Sequence, residues 1–337
     1  MLTDIMFNRN YIQKTIATSK FTLPVVAVLS LVFWFISNSQ GETQNVTSTT
    51  LGMWRYIPDW ATSGWDATGI GFLFSILAVY LMAEFNNKFI LLRISSRMLS
   101  STLAVLLTMC TFLHTFQPAH VILVLSMAAY FPLFFSYQRT DSMPMIYIAF
   151  LMQSVASLFF PKYLFLTPFV WVALIALRAF TFRTLCASIF GVITPYWILF
   201  SLAFVYGDFD SIYAHFIGDF RLSLPDYTCW SLHNWLSLAL VVTMGIAGSI
   251  NFHMRSHLDK TRTRTYIYVA IILFAASTFF LLWETAHFNE IFPLLIINSS
   301  ILAGHHLAQE YSRLSNIYTI VVCLLIVSVA YANFIGL

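Results

Sequence analysis

The stretch FFPKYLFLTPFVWVALIALRAFTFRTLCASIFGVITPYW, residues 159–197, decides what kind of chain this is. Pro161 stops one apolar run, and Lys162 marks a water-facing tip. From there an apolar run of about 16 residues reaches Arg178, close to the length that crosses a bilayer as a helix. Arg178 and Arg183 mark the opposite face, and residues 185–206 run back across. Gly191 and Pro195 lie inside the return run, which a membrane helix tolerates where its neighbours re-satisfy the backbone. The stretch reads as a hairpin of two transmembrane helices.

Composition extends that reading to the whole chain. Of 337 residues, 59% are hydrophobic and 9% charged, and the mean hydropathy is +0.78. A soluble domain carries about 25% charged residues, so the class is integral membrane protein. The first apolar run, 21–36, is followed by Ser-Asn-Ser-Gln-Gly rather than a small-x-small cleavage site, and reads as a retained helix rather than a signal peptide. Cys110, Cys186, Cys229 and Cys323 are dispersed, with neither a CxxC pair nor a metal spacing, and read as packing residues.

The same reading along the chain predicts an all-α, polytopic transmembrane helical bundle of about 11 helices. The spans fall near 21–37, 67–83, 98–114, 120–136, 144–160, 162–178, 185–206, 232–250, 265–283, 291–308 and 316–335. Every link then alternates sides. With the N-terminus inside and the C-terminus outside, only Arg55, Lys162 and Arg221 of the 17 basic residues lie on the outer side. Enrichment of Lys and Arg in short cytoplasmic links is the recognised topology signal. Residues 1–337 read as a single integral membrane domain with two long outer loops, 38–65 and 207–231. Each is too short for an independent soluble domain but long enough to cover the membrane surface. Trp54, Tyr56, Trp60 and Trp65 in the first, and Tyr213, Phe216, Phe220 and Tyr227 in the second, suit an interfacial aromatic belt.

The FFPKY turn, the Trp171–Arg178–Arg183 run, Gly191 and Pro195-Tyr196 together resemble a family of uncharacterised multi-pass inner-membrane proteins of Bacteroidota bacteria. The similarity is best over residues 85–210. Members often carry an oxygenase name, for which this sequence lacks a four-His iron-binding pattern. The resemblance implies a bacterial inner (cytoplasmic) membrane and brings no activity with it.

Charge inside a membrane span is a functional signal by default, and here no Asp, Glu, Lys or Arg falls in the middle of a span. That disfavours a transporter or flippase. Polar residues gather instead at helix ends, above all on the outer side. Asp59 and Asp66 occupy the first outer loop, where multi-pass glycosyltransferases that use polyprenyl-phosphate sugars place a catalytic carboxylate, although the paired acids of that class are missing. Asp208 and Asp210 are the closest acidic pair, and in an extended segment both would point the same way, as oxygen ligands for a divalent cation. These four acids are the catalytic candidates. Lys162 and Arg221 are candidates for a lipid phosphate, with Arg as a fork and Lys as a point charge. His114, His120 and His287 sit on separate links without zinc spacing, and His306 with Glu310 reads as a hydrogen-bonded pair at i,i+4. No metal site and no cofactor motif is read, and the basic link 251–264 reads as a topology determinant, not a nucleic-acid surface.

Three functional expectations follow. The first is action on, or binding of, a polyprenyl-linked glycan or lipid at the periplasmic face. The second is a non-catalytic membrane subunit or scaffold of an envelope complex, with membrane lipids and a membrane-protein partner. The third, a transporter or flippase, is the weakest. The topology has a direct check: alkaline-phosphatase fusions after residues 50, 215 and 337 should be active, and those after 93 and 258 inactive. Activity at 258 would contradict the arrangement.

Overall fold

The structure, a computed structural model, describes residues 12–19, 21–39, 52–94, 96–139, 141–207, 209–221, 224–309 and 312–335. Among them every regular element is helical and none is a strand. The α-helices are α1 (Ile12–Thr18), α2 (Thr22–Ser39), α3 (Asp59–Thr62), α4 (Gly64–Phe89), α5 (Met98–Thr108), α6 (Pro118–Phe135), α7 (Met143–Phe159) and α8 (Thr167–Ala176), then α9 (Phe182–Tyr206), α10 (Phe209–Asp219), α11 (Leu232–Arg255), α12 (Thr261–Trp283), α13 (Phe288–Gln309) and α14 (Arg313–Ile335). Seven helical segments, carried by α4, α6, α9 and α11 to α14, are long and apolar enough to cross a membrane. Four shorter apolar segments accompany them: Thr22–Ser37, Met98–Thr108, Met143–Phe159 and Pro161–Ala176.

The segment Thr285–Gln309, which contains α13, is the least apolar of the seven, with hydropathy 1.4, yet its apolar window is 100% buried. In water that combination would be contrary. In lipid it is expected, because the bilayer rejects polar side chains and drives them into the bundle. Helix α13 carries Asn298, Ser299, Ser300, His305 and His306, all buried. Its neighbours α5, α6, α11 and α12 surround it and supply partners. Tyr130 donates to the Asn298 Oδ1 at 2.8 Å, Ser299 donates to the Val241 carbonyl at 2.7 Å, and Thr102 reaches the Ser300 carbonyl at 3.2 Å. At the periphery, α9 and α14 have only 22% of their windows buried.

The expected span 98–114 is broken. Helix α5 ends at Thr108, and a 3-10 turn follows at Thr111–His114. Eleven helical residues cover only about 17 Å. A break at such depth is tolerated where freed carbonyls find donors, and here side chains provide them. His114 Nε2 lies 3.0 Å from the Thr108 carbonyl, Asn333 of α14 donates to the Met109 carbonyl at 2.7 Å, and Gln117 donates to the Phe112 carbonyl. A carbonyl only accepts, so His114 carries its proton on Nε2.

The 159–197 hairpin opens with a 3-10 turn, Pro161–Leu166, that leads into α8. Thr181 caps α9 by a reciprocal bond with Thr184. Trp171, Tyr196 and Gly191 of the hairpin are contact residues. Trp171 donates to Ser188 at 3.0 Å, the Tyr196 hydroxyl meets Ser157 at 2.9 Å, and Gly191 lets α9 approach α7 closely. A methyl group at Gly191 would fall 2.7 Å from the Tyr147 carbonyl oxygen.

A second close approach joins α11 to the central helix. A Cβ at Gly248 would stand 2.5 Å from the Leu302 carbonyl oxygen, which is backbone and cannot move aside without shifting α13. Gly248→Ala should therefore cost about 1–3 kcal/mol, the usual penalty of overpacking. It should appear as a lowered thermal midpoint of the purified protein in detergent. An unchanged midpoint would mean that α11 and α13 are less tightly apposed.

Candidate functional site

At one end of the bundle, charged side chains gather around the start of α13. Lys162 stands in the Pro161–Leu166 turn. Glu284 follows the last residue of α12, its backbone N–H held by the Phe280 carbonyl. The Lys162 ammonium lies 2.5 Å from Glu284 Oε1, and both residues are buried, Glu284 completely. His287 Nε2 is 3.8 Å from Glu284, and its Nδ1 is 3.9 Å from Glu290. These separations exceed hydrogen-bond length, so the contacts are electrostatic. Phe160 packs on the His287 ring at 5.3 Å.

The second polar segment folds over this end. Helix α10 buries Phe216 and touches both the Pro161–Leu166 turn and the Gly52–Tyr56 turn. Asp219 accepts from the Gly52 N–H at 2.9 Å. Further along, the Asp226 N–H donates to Thr285 Oγ1 at 2.9 Å, the Trp230 indole donates to the Thr285 carbonyl at 2.8 Å, and Tyr227 donates to the Leu282 carbonyl at 2.9 Å. Asp226 accepts from the Thr228 hydroxyl and backbone N–H, which hold its carboxyl below the usual range.

The expected site residues are placed as follows. Asp66 is exposed in the first turn of α4, and Asp210 is exposed in the first turn of α10. Acids there are stabilised by the helix dipole and need no substrate. The side chain of Asp59 and the whole of Asp208 lie outside the described residues. Asp210 is helical, so the alternation of an extended segment, on which the Asp208–Asp210 pairing rests, does not apply to it. Lys162 is buried on a carboxylate rather than open to a phosphate, and Arg221 is exposed with no side-chain hydrogen bond or ion pair among the described residues. Among the described residues no three His, Cys, Asp or Glu side chains converge as metal ligands.

A second charged assembly closes the other end. Asp259, in the short link between α11 and α12, accepts from Arg93 at 2.6 Å and lies 3.4 Å from His305 Nε2. His306 pairs with Asn251 across α11 and α13; Glu310, its expected partner, lies outside the described residues. Burial pushes the Asp259 carboxyl up, but hydrogen bonds and charge from His305 and Arg93 outweigh that and hold it below its ordinary value.

The Asp259 assembly borders only a small space of about 30 Å³, and a much larger one lies on the flank of α2. A slot of about 390 Å³ runs between α2 and α4 and is closed on its third side by α5. Trp34 and Phe72 line one end, and Glu84, Asn86, Asn87, Ser96 and Arg97 line the other. From Phe72 to Asn87 the helix rises about 22 Å, against a hydrocarbon thickness of about 30 Å. Part-way along, Ser75 is 7% exposed and its hydroxyl has no partner. A second, almost wholly apolar groove of about 510 Å³ lies on the other flank, between α2 and α14. Ser30 and Thr108 line both and bond to each other at 2.7 Å, tying α2 to α5 between the two voids.

These features define a multi-pass helical membrane protein with polar assemblies at both ends and an intramembrane slot beside α2. No family model matches the chain, nor does any curated protein or solved structure.

The pairings of Lys162 with Glu284 and of Asp259 with His305 are not legible in the sequence. The partners are 122 residues apart in the first case, and no local spacing joins them. The slot had only a faint signal, the polar run Glu84, Asn86, Asn87 at the end of an apolar helix.

Two outcomes follow. Lys162→Met or Glu284→Gln alone should each destabilise the protein by about 3–5 kcal/mol, because each strands a buried charge or its partner. The double variant should lose clearly less than the sum, as read from denaturation in detergent; additive losses would contradict the pairing. A carboxyl held below its unfolded value adds stability that is present above the unfolded value of about 3.9 and is lost as pH falls through the folded one. Thermal midpoints of the wild type should therefore drop toward acid more steeply than those of Asp259→Asn, and parallel curves would remove Asp259 from the account.

Proposed function

We propose that this chain is a protein of the bacterial inner membrane that binds a membrane lipid within its helical bundle, as a non-catalytic subunit. The slot beside α2 carries the reading. It is long, apolar through its middle and polar at one end, which is the profile of a lipid chain with its head. The seven long apolar segments and four shorter ones correspond in order to the eleven expected spans, which supports eleven crossings with the N-terminus inside and the C-terminus outside. The bacterial inner membrane rests on the resemblance of the 159–197 hairpin.

Catalysis on a polyprenyl-linked glycan is less favoured by the geometry. Asp66 and Asp210 are exposed in the first turns of separate helices, and Lys162 is already neutralised by Glu284. Transport is disfavoured because, among the described residues, the buried charges sit at the two ends of the bundle, with hydroxyls and amides between them.

Native mass spectrometry of the purified protein provides the test. The wild type should carry a bound lipid in near-stoichiometric amount. Ser75→Phe should shed it, since a phenyl ring there fills the slot and breaks no hydrogen bond. Equal lipid in both forms would refute the reading.

A further inference from the structure

The chemistry at the polar end of the slot narrows the ligand, on the reading that the slot binds lipid. Glu84 and Arg97 line the same end, both exposed, and no ion pair forms between them or to any other described side chain. That is unusual for their surroundings, because nearby charges are committed. Arg93 is held by Asp259. Lys88, four residues after Glu84 and placed to pair with it on the same helix face, instead lies over the Phe135 ring at 5.1 Å. Asn86 lines the same end, but its amide nitrogen is committed to the Ser96 carbonyl at 3.1 Å and its Oδ1 is fully buried.

The end of the slot therefore presents one anionic acceptor, Glu84, and one cationic fork, Arg97. We propose that the slot takes one zwitterionic aminophospholipid, with its ammonium on Glu84, its phosphate on Arg97, and one chain running between α2 and α4 toward Trp34. Arginine holds phosphate oxygens in pairs. An ammonium, which only donates, matches the Glu84 carboxylate, which only accepts. A purely anionic head would satisfy Arg97 but set its phosphate beside the Glu84 carboxylate with no cation between them.

The test is competition for the slot. Purified full-length protein is equilibrated with vesicles of equal phosphatidylethanolamine and phosphatidylglycerol, and the lipid it retains is measured. The wild type should retain phosphatidylethanolamine over phosphatidylglycerol by about tenfold, the factor carried by about 1.4 kcal/mol, which is within the range of one charged hydrogen bond. Glu84→Gln should retain lipid with the preference reduced to near equality, and Arg97→Gln should retain several-fold less of either. Equal retention by the wild type, or an undiminished preference in Glu84→Gln, would overturn the headgroup assignment while leaving lipid binding intact, provided Ser75→Phe still sheds lipid. Lipid loss in neither Ser75→Phe nor Arg97→Gln would overturn both.

Discussion

Hydrocarbon offers no hydrogen bonds, and this one property orders the molecule. Helix α13 holds an amide, hydroxyls and two imidazoles along a single helix. None of these can face lipid without a large penalty, so the helix must be surrounded. The ring of α5, α6, α11 and α12 around it supplies both cover and partners. Glycines at 248 and 304 let α11 and α5 come close enough for backbone to meet backbone. With little hydrophobic force between helices in lipid, such close packing and a few internal hydrogen bonds hold the bundle together.

The same constraint explains the two ends. At each end a cluster of buried charged groups is neutralised within the protein. Lys162 with Glu284 joins the turn before α8 to the segment before α13, and Arg93 with Asp259 and His305 joins three elements at the opposite end. Each pair is weak evidence for stability as such, since burying charge costs desolvation. Their consequence is registry: each pair is satisfied only when α13 sits at one depth relative to its neighbours.

Helix α2 escapes this discipline. It meets the bundle through α4 and α5 and is flanked by voids on both sides, with Ser30 to Thr108 as the polar tie between them. A membrane does not leave such grooves empty. The slot toward α4 differs from the groove toward α14 in having charged and amide groups at one end, which is what turns a lipid-facing crevice into a site with a preference.

Much of this was legible in the chain itself. Apolar runs bounded by Lys and Arg gave the helices and their order, because partition into hydrocarbon is a property of each segment alone. Pro161 likewise acts within a turn of its own position, stopping one apolar run where the structure begins the Pro161–Leu166 turn. The break of the 98–114 run was not legible, since it depends on Asn333 arriving from the far end of the chain to take the Met109 carbonyl. Lys162 read as a water-facing tip because only the folded bundle brings Glu284 to it, and the alternation expected around Asp210 gave way to a helix. The slot is the extreme case. It is a space left between α2, α4 and α5, and a space has no residues of its own, so only the relative placement of the three helices decides that Glu84, Asn86 and Arg97 share one mouth.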